Sequence, residues 1–470
     1  MAKIARMHAS APPHRNSQNA RPAARPLPRP RPSALLGSDL WIVVDVFIAL
    51  VVGMWARHGG LRALSEGWFP AWGSISSLTG LLASGCGLIG VVLIARPRTL
   101  ERHVGLDRMF VWHRYLGESM AVLVGVHIVS AVIAGMDLDT SIWTVLRDYT
   151  GRVPYMAMAA IGGVLVLIVT ITSLRSIRRQ LSYETWYFVH LLAYGGLAVS
   201  FAHEITLGTD LSDDKVARWF WVGLHIAVLI AVLIGRWGRL IRSVLHPLRV
   251  LGVTPLGDDI NALYLGGPAI HRMEATAGQF CILRPLIRGQ WWQSHPFSLS
   301  AAPTTGGLRF TIKDRGDASQ IINRLPVGTR VAVEGPYGVA TPEVAVDSKV
   351  LCIVGGVGVA PARAMLEMLT PEQEPIVLYR ARNRDDLVHL DEMQEICRHV
   401  EGEVLTLVGP SISLANKDPF GAASLKRAIP DIADRAVFVC GPDSLVHAAR
   451  RGLKAAGVPA ENVHFEMVWW

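Results

Sequence analysis

Four histidines, His113, His127, His190 and His203, lie inside two strongly apolar stretches, 127 − 113 = 14 and 203 − 190 = 13 residues apart. An ionisable side chain in so apolar a setting is costly and demands a reason. At about 1.5 Å of rise per residue, each pair spans roughly 20 Å of helix, a large part of a hydrocarbon core about 30 Å thick. Neutral imidazole is the commonest metal ligand, and haem iron accepts axial histidine. The spacing predicts two haems stacked across a membrane, each clamped by one histidine from each helix.

The two spacings are not equivalent. At about 100° per residue, 14 positions return to within roughly 40° of the starting face, whereas 13 leave the second ligand about 140° away. Tightening toward 3₁₀ geometry corrects this, since about 3.25 residues per turn makes four turns of 13. Gly195 and Gly196 are the expected place for the distortion. His225 is a lone intramembrane histidine, read as a packing or proton-handling residue, while His103 and His246 lie at helix ends without a matched partner.

Six apolar spans must carry these residues, at about 39–56, 75–95, 109–134, 154–174, 185–205 and 217–235, the first of them short. Basic residues crowd alternate connections: Arg96, Arg98, Arg102 and Arg108, then Arg175, Arg178 and Arg179, then Arg236, Arg239 and Arg242. The opposite linkers, 136–153 and 204–216, hold Asp137, Asp139, Asp148, Asp210, Asp213 and Asp214. Both termini are therefore expected in the cytoplasm. Spans three and five then run in one direction, which pairs His113 with His190 near the cytoplasmic face and His127 with His203 near the outer face.

The 470 residues are 51% hydrophobic and 18% charged, too apolar for an ordinary soluble enzyme. The net charge of +8 is concentrated at the start of the chain, where residues 1–34 hold seven Lys or Arg, no acid and seven prolines. Nucleic acid is therefore not expected as a partner. Residues 1–38 read as a disordered basic tail with no apolar signal-peptide core. Five scattered cysteines, Cys86, Cys281, Cys352, Cys397 and Cys440, contain no C-x-x-C pair, which excludes an iron–sulfur, zinc or disulfide framework.

Beyond residue 241 the pattern turns to short β-rich runs, expected to form an antiparallel barrel over 242–345. It contains His295-Pro296-Phe297-Ser298-Leu299-Ser300, a strand able to place a flat ring and hydrogen-bond its edge. An α/β domain over 346–470 opens with the strand KVLCIV, the turn Gly355-Gly356-Val357-Gly358-Val359-Ala360-Pro361 and the helical ARAMLEML. Strand, glycine turn and helix N-terminus make a phosphate cradle, with proline at the helix entry. The order G-x-G-x-x-P departs from the usual dinucleotide fingerprint. Arg380, Arg382 and Arg384 after the next strand favour the 2′-phosphate of NADPH, and Cys440-Gly441-Pro442 ends another strand at the ligand-binding edge of the sheet.

Taken together, His113-Arg114-x-x-Gly117, the paired histidines, HPFSLS, the GPYG at Gly335–Gly338, GGVGVAP and CGPDS resemble the ferric reductase and NADPH oxidase superfamily over residues 39–470. The resemblance implies a multi-domain chain: a six-helix transmembrane di-haem bundle over 39–241, an antiparallel β-barrel FAD domain and an α/β Rossmann-like NADPH domain. It makes His295, Pro296, Phe297 and Ser298 the flavin strand and places Lys313, Gly316 and Ser319 near the FAD phosphates. Gly355, Gly356, Gly358 and Pro361 would hold the NADPH pyrophosphate, and Cys440, Gly441 and Pro442 the nicotinamide side. Trp469-Trp470 stands where relatives often end in an aromatic residue stacked on the flavin, with Trp470 the expected partner.

The implied cofactors are FAD, NADPH and two b-type haems, with electrons passing from cytoplasmic NADPH through FAD and both haems to an outer acceptor. The cofactors carry the chemistry and the protein supplies alignment. Oxygen, giving superoxide, is the favoured acceptor at a multi-pass plasma-membrane protein. A ferric chelate, or a periplasmic protein or quinone fed by an electron-transfer subunit, are the alternatives. A non-enzymatic membrane scaffold is disfavoured by the complete set of nucleotide motifs.

Overall fold

The computed structural model describes residues 25–28, 37–136, 140–314, 316–410 and 418–467. Among these, five helical segments are long and apolar enough to cross a membrane: Trp68–Ala95, Arg108–Ala134, Met156–Ser173, Tyr183–Leu207 and Lys215–Leu245. A further helix of 21 residues, Gly37–Arg57, precedes them. Caps follow local chemistry: Ser182 Oγ accepts from the Thr185 N–H at 3.1 Å, and Asp214 Oδ1 from Val216 N–H at 2.8 Å. Both satisfy donors that a helix start leaves free.

The Tyr183–Leu207 segment is distorted as the 13-residue spacing requires, but at another residue. One helix ends at His190, Leu191 carries ψ −20°, and a second runs Leu192–Leu207. The Tyr194 N–H donates to the Leu191 carbonyl at 3.1 Å, a three-residue bond that tightens the turn directly after the ligand. Gly195 and Gly196 lie within the regular second helix. Gly196 instead permits close packing: a Cβ on Gly162 of the Met156–Ser173 helix would stand 2.9 Å from the Gly196 carbonyl and collide with Ser200 Oγ. Small residues let membrane helices approach when no hydrophobic effect drives them together.

The last span passes through a π turn at Leu233–Trp237 and continues as Gly238–Leu245, four residues beyond 241, the expected domain end (245 − 241 = 4). A Cβ at Gly235 would collide with the Ala95 carbonyl, so this turn crosses the end of the Trp68–Ala95 helix at a glycine. On the opposite side of the bundle, the 136–153 linker contains its own helix, Ile142–Arg152, with Ile142 and Trp143 exposed.

The next domain is a six-stranded antiparallel sheet of β1 (Leu248–Gly257), β2 (Ile260–Gly266), β3 (Phe280–Pro285), β4 (His295–Ser298), β5 (Leu308–Lys313) and β6 (Arg330–Tyr337), in the order β4-β3-β6-β1-β2-β5. Alternate residues such as Leu263 and Leu265, Cys281 and Leu283, and Leu308, Phe310 and Ile312 share one core, following the two-residue period of a strand. Just past β4, Leu299 bridges to Phe310 and the Ser300 N–H donates to the Arg309 carbonyl, drawing the sheet's two edges together.

The basic tail is not wholly separate from this domain. Leu27 is buried in the sheet core, the Arg25 N–H donates to Thr305 Oγ1 at 2.9 Å, the Leu27 N–H to the Pro303 carbonyl, and the Ala275 N–H to the Pro28 carbonyl. An extended segment needs no core of its own when a neighbouring sheet pairs its main chain and takes one leucine. The rest of the expected tail, 1–24 and 29–36, lies outside the described residues.

The final domain is a parallel sheet of β7 (Val350–Gly355), β8 (Ile376–Ala381), β9 (Glu403–Val408), β10 (Ala436–Gly441) and β11 (Val463–Met467), in the order β11-β10-β7-β8-β9. Helices Val359–Leu366 and Leu390–His399 pack in one core, and Ala422–Ala428 and Asp443–Ala456 in another. Strands covered on both faces read as continuous apolar runs, and β7 and β10 are buried throughout.

Candidate functional site

The four intramembrane histidines form the two expected pairs. The rings of His113 and His190 are 6.0 Å apart between centroids, and those of His127 and His203 are 6.2 Å apart. Two nitrogen–metal bonds of about 2 Å each, plus two ring radii of roughly 1.2 Å, sum to about 6.4 Å, so each gap fits one metal between two imidazoles. Every Nδ1 is already engaged: His113 with the Gly90 carbonyl (3.1 Å), His127 with that of Ser76 (2.8 Å), His190 with Ser173 Oγ (3.3 Å), and His203 with the Ser200 carbonyl. The three carbonyl partners make Nδ1 the donor and leave Nε2 of His113, His127 and His203 for a metal, while the Ser173 hydroxyl orients the His190 ring. A Cβ on Gly80 would press within 2.9 Å of His127 Nδ1, so a glycine makes room for that ring, while one on Gly90 would meet His113 Nδ1 at an ordinary contact of 3.5 Å.

Several acids of the 136–153 and 204–216 linkers are already engaged. Ser77 donates to Asp210, which also lies 3.9 Å from His58, and Asp214 caps a helix while pairing with His58 (3.3 Å) and Arg57 (3.5 Å). Asp148 pairs with Arg152. Asp137 and Asp139 lie outside the described residues. Of the lone histidines, His225 bonds its Nδ1 to the Trp221 carbonyl at 3.0 Å and stands 3.9 Å from Glu204, a packing arrangement in a polar knot.

In the antiparallel domain, His295 through Ser298 form β4, paired with β3. His295 Nε2 and the Ser300 Oγ are buried without a hydrogen-bond partner among the described residues. Buried polar atoms left open beside a strand suit the polar edge of a bound ring. Burial lowers the His295 pKa, which favours the neutral imidazole. Lys313 ends β5 and pairs with Asp259 at 3.1 Å. Gly316 has φ +130° at the start of the short helix Asp317–Asn323, and Ser319 Oγ donates to its carbonyl at 2.8 Å. These three stand together at one end of the domain.

In the parallel domain, Gly355, Gly356 and Gly358 run directly from β7 into the Val359–Leu366 helix, with Pro361 in its first turn. Gly356 has φ +56°, and a Cβ on Gly358 would collide with the Cys440 carbonyl and stand 2.7 Å from the Gly441 nitrogen. The glycine turn is therefore packed onto Cys440-Gly441-Pro442. Arg380 is not a free phosphate ligand, because its guanidinium donates to the carbonyls of Ala381, Leu407 and Gly409. Arg382 and Arg384 are exposed at the same edge. Trp469 and Trp470 lie outside the described residues.

Sequence reasoning missed the joint between the two domains. Arg309 makes a bidentate pair with Glu392 (2.7 and 2.8 Å), Arg363 adds a third bond to Glu392 (2.7 Å), and His389 contacts both Glu392 and Thr311. The bond from Arg309, with Arg363 and His389 behind it, holds the Glu392 carboxyl well below its usual range. Arg363 also donates to the Ser300 carbonyl at 3.0 Å, so the loop after β4 is tied to the parallel domain. Charge pairing between distant segments leaves no local signal in sequence.

Residues 79–201 match the family of the ferric reductase like transmembrane component, 248–341 an FAD-binding domain and 352–451 an oxidoreductase NAD-binding domain. This order of three domains matches a ferric reductase/NADPH oxidase-like architecture. The chain is a membrane protein carrying FAD- and NAD(P)H-binding domains. The chain is 25% identical over 254 residues to ferric reductase transmembrane component 3 of Saccharomyces cerevisiae, covering 53% of this chain and 33% of that one. It is 29% identical over 203 residues to the ferredoxin reductase component of 3-ketosteroid-9-alpha-monooxygenase of Mycobacterium tuberculosis, covering 42% of this chain and 56% of that protein. Its span is thus little more than half of that reductase's length. A solved ferredoxin reductase of carbazole 1,9a-dioxygenase is 22% identical with a TM-score of 0.40, covering 48% of this chain and 69% of that one.

Proposed function

We propose that this chain is a transmembrane oxidoreductase that draws electrons from cytoplasmic NADPH and delivers them across the membrane to an acceptor beyond the His127–His203 pair. The observation that carries this reading is the paired-histidine geometry, with ring separations of 6.0 and 6.2 Å and every Nδ1 held by the protein. His113 with His190, and His127 with His203, would each hold one b-type haem. His295–Ser298 with Lys313, Gly316 and Ser319 would hold FAD. Gly355, Gly356, Gly358 and Pro361 would hold the NADPH pyrophosphate, with Cys440–Pro442 beneath the nicotinamide and Arg382 beside the 2′-phosphate. When bound, FAD takes up the electron pair of a hydride and gives electrons up singly, and haem iron carries one at a time.

The protein's own part is alignment and charge. Its Nδ1 bonds orient four imidazoles, its glycine turn admits the nucleotide backbone, and its Arg309–Glu392–Arg363 joint fixes the flavin strand against the nucleotide domain. Orientation follows from Arg96, Arg102, Arg236 and Arg239. All four lie against the antiparallel domain, and basic linkers favour the cytoplasmic side. This supports a cytoplasmic position for both nucleotide domains, where NADPH is found. Gly37–Arg57 then serves as a sixth span.

Oxygen is the favoured acceptor, with superoxide as product. Among the described residues, Asp148, Asp210 and Asp214 are already paired or capping, and Asp213 holds the Ser212 hydroxyl. The test is the purified chain in nanodiscs: NADPH should reduce two haems, and cytochrome c reduction sensitive to superoxide dismutase should follow with oxygen as sole acceptor. Absence of any NADPH-driven haem spectrum would sink the transmembrane reading, and reduced haems without superoxide would move the acceptor to a ferric chelate or an outer redox partner.

A further inference from the structure

The connection between β3 and β4 carries a tryptophan pair that the functional reading has not used. Trp292 lies three residues before His295 of the flavin strand (295 − 292 = 3), and its ring stands 6.1 Å from that of Phe188. Phe188 lies two residues before His190 (190 − 188 = 2), and Trp186 of the same helix packs 4.9 Å from the His190 ring. One aromatic contact therefore joins the flavin strand's lead-in to the helix that presents a metal-binding imidazole.

The turn bearing Trp292 is built rather than loose. Buried Arg284 donates to the Trp292 carbonyl at 2.6 Å and to that of Trp291 at 3.3 Å. Its other guanidinium nitrogen reaches Glu334 at 3.4 Å, and Glu334 lies 3.9 Å from Arg236 in the π turn of the last span. Trp292 Nε1 donates to the Gly289 carbonyl at 3.2 Å, and Gly289, with φ +81°, supplies the bend. A nearly fully buried arginine spent on two loop carbonyls specifies that loop's shape, because a buried charge left unpaired is expensive. The triad links the membrane bundle, the sheet and the tryptophan turn in one connected network.

We propose that Trp292 is a positioning residue: held by the Arg236–Glu334–Arg284 triad, it docks on Phe188 and sets the distance and angle between bound flavin and the His113–His190 centre. This rests on the reading that those histidines hold the entry haem. The step it serves moves one electron from reduced FAD to one ferric iron, which becomes ferrous, with no bond made or broken.

Two measurements on the full chain in nanodiscs test it. In stopped flow with NADPH, Trp292→Ala should slow haem reduction severalfold while NADPH-to-dye turnover and haem content stay at wild-type values, and Trp292→Phe should restore most of the rate. Separately, a Phe188→Cys/Trp292→Cys double variant should cross-link with a short bismaleimide, whereas either single variant and a Phe188→Cys/Val327→Cys control should not. Unchanged haem reduction in Trp292→Ala, or failure of the double variant to cross-link, overturns the proposal. Loss of haem from the wild-type chain would instead defeat the di-haem reading, and the cross-link would still report on the contact.

Discussion

Glu101 accepts a hydrogen bond at 3.0 Å from the main-chain N–H of Gly338, joining a short helix between two spans to the GPYG turn of the antiparallel domain. Burial raises its pKa to about 6 from 4.5, against the opposing pull of the Gly338 N–H and of Arg239, Arg102 and Arg96. For an acid whose folded pKa is raised, the associated stabilisation is complete below its unfolded pKa and is lost as pH rises through the folded value. The docked state should therefore gain roughly 2 kcal/mol between pH 7 and pH 4.5 from this group. Thermal melts of the wild-type chain and Glu101→Gln across that window check it; identical pH slopes for the two would remove Glu101 as the cause.

Removing one ligand should empty one site. His127→Ala or His203→Ala should halve the haem content, because a lone imidazole lacks its opposing partner at 6.2 Å, while NADPH-to-dye turnover persists in the soluble half. Haem quantitation by pyridine haemochrome decides it, and two fully retained haems would show that the pairing is wrong.

Leu27 is 4% exposed in the core of the antiparallel domain, far in sequence from the residues it packs with. Leu27→Ala should cost about 2–5 kcal/mol of that domain's stability. Pro303 and Thr305, main-chain partners of this segment, follow β4, the strand proposed to hold FAD, so flavin retention during gel filtration should fall as well. A variant that melts and holds flavin like the wild type would show the contact to be dispensable.

Gly358→Ala places a methyl group against the main chain of Cys440 and Gly441, which cannot move as a flexible side chain can. The expected result is a rise in KM for NADPH of at least about tenfold, with FAD content unchanged, as the cradle loses its shape. Equal KM values would mean that the turn tolerates a Cβ.

Cofactor preference should rest on Arg382 rather than Arg380, whose guanidinium is spent on three carbonyls. Arg382→Ala should lower the ratio of kcat/KM for NADPH over NADH by about tenfold, the worth of one charge-assisted contact. Arg380→Ala should instead lower the stability of the β8–β9 edge. The opposite pattern in steady-state kinetics and melting would reverse the assignment.

Much of this architecture was legible in the residues themselves. Apolar runs, basic linkers, the 14- and 13-residue histidine spacings and the strand–glycine–helix pattern are periodic or local signals, and each follows from the geometry of one element. The 13-residue spacing even required a tightened helix. Sequence pointed to Gly195 and Gly196 for that change, but Leu191 carries it, because those glycines lie in a regular helix and Gly196 is needed where the Gly162 helix crosses.

What only the tertiary structure decided are the contacts between segments far apart in the chain. Leu27 in the antiparallel core, Glu101 on Gly338, Glu392 between Arg309 and Arg363, and Trp292 on Phe188 each join elements with no shared period or motif. Periodicity records which face of an element is apolar. It does not record which distant charge or ring will meet that face, since packing and desolvation settle that choice only once the whole chain has folded.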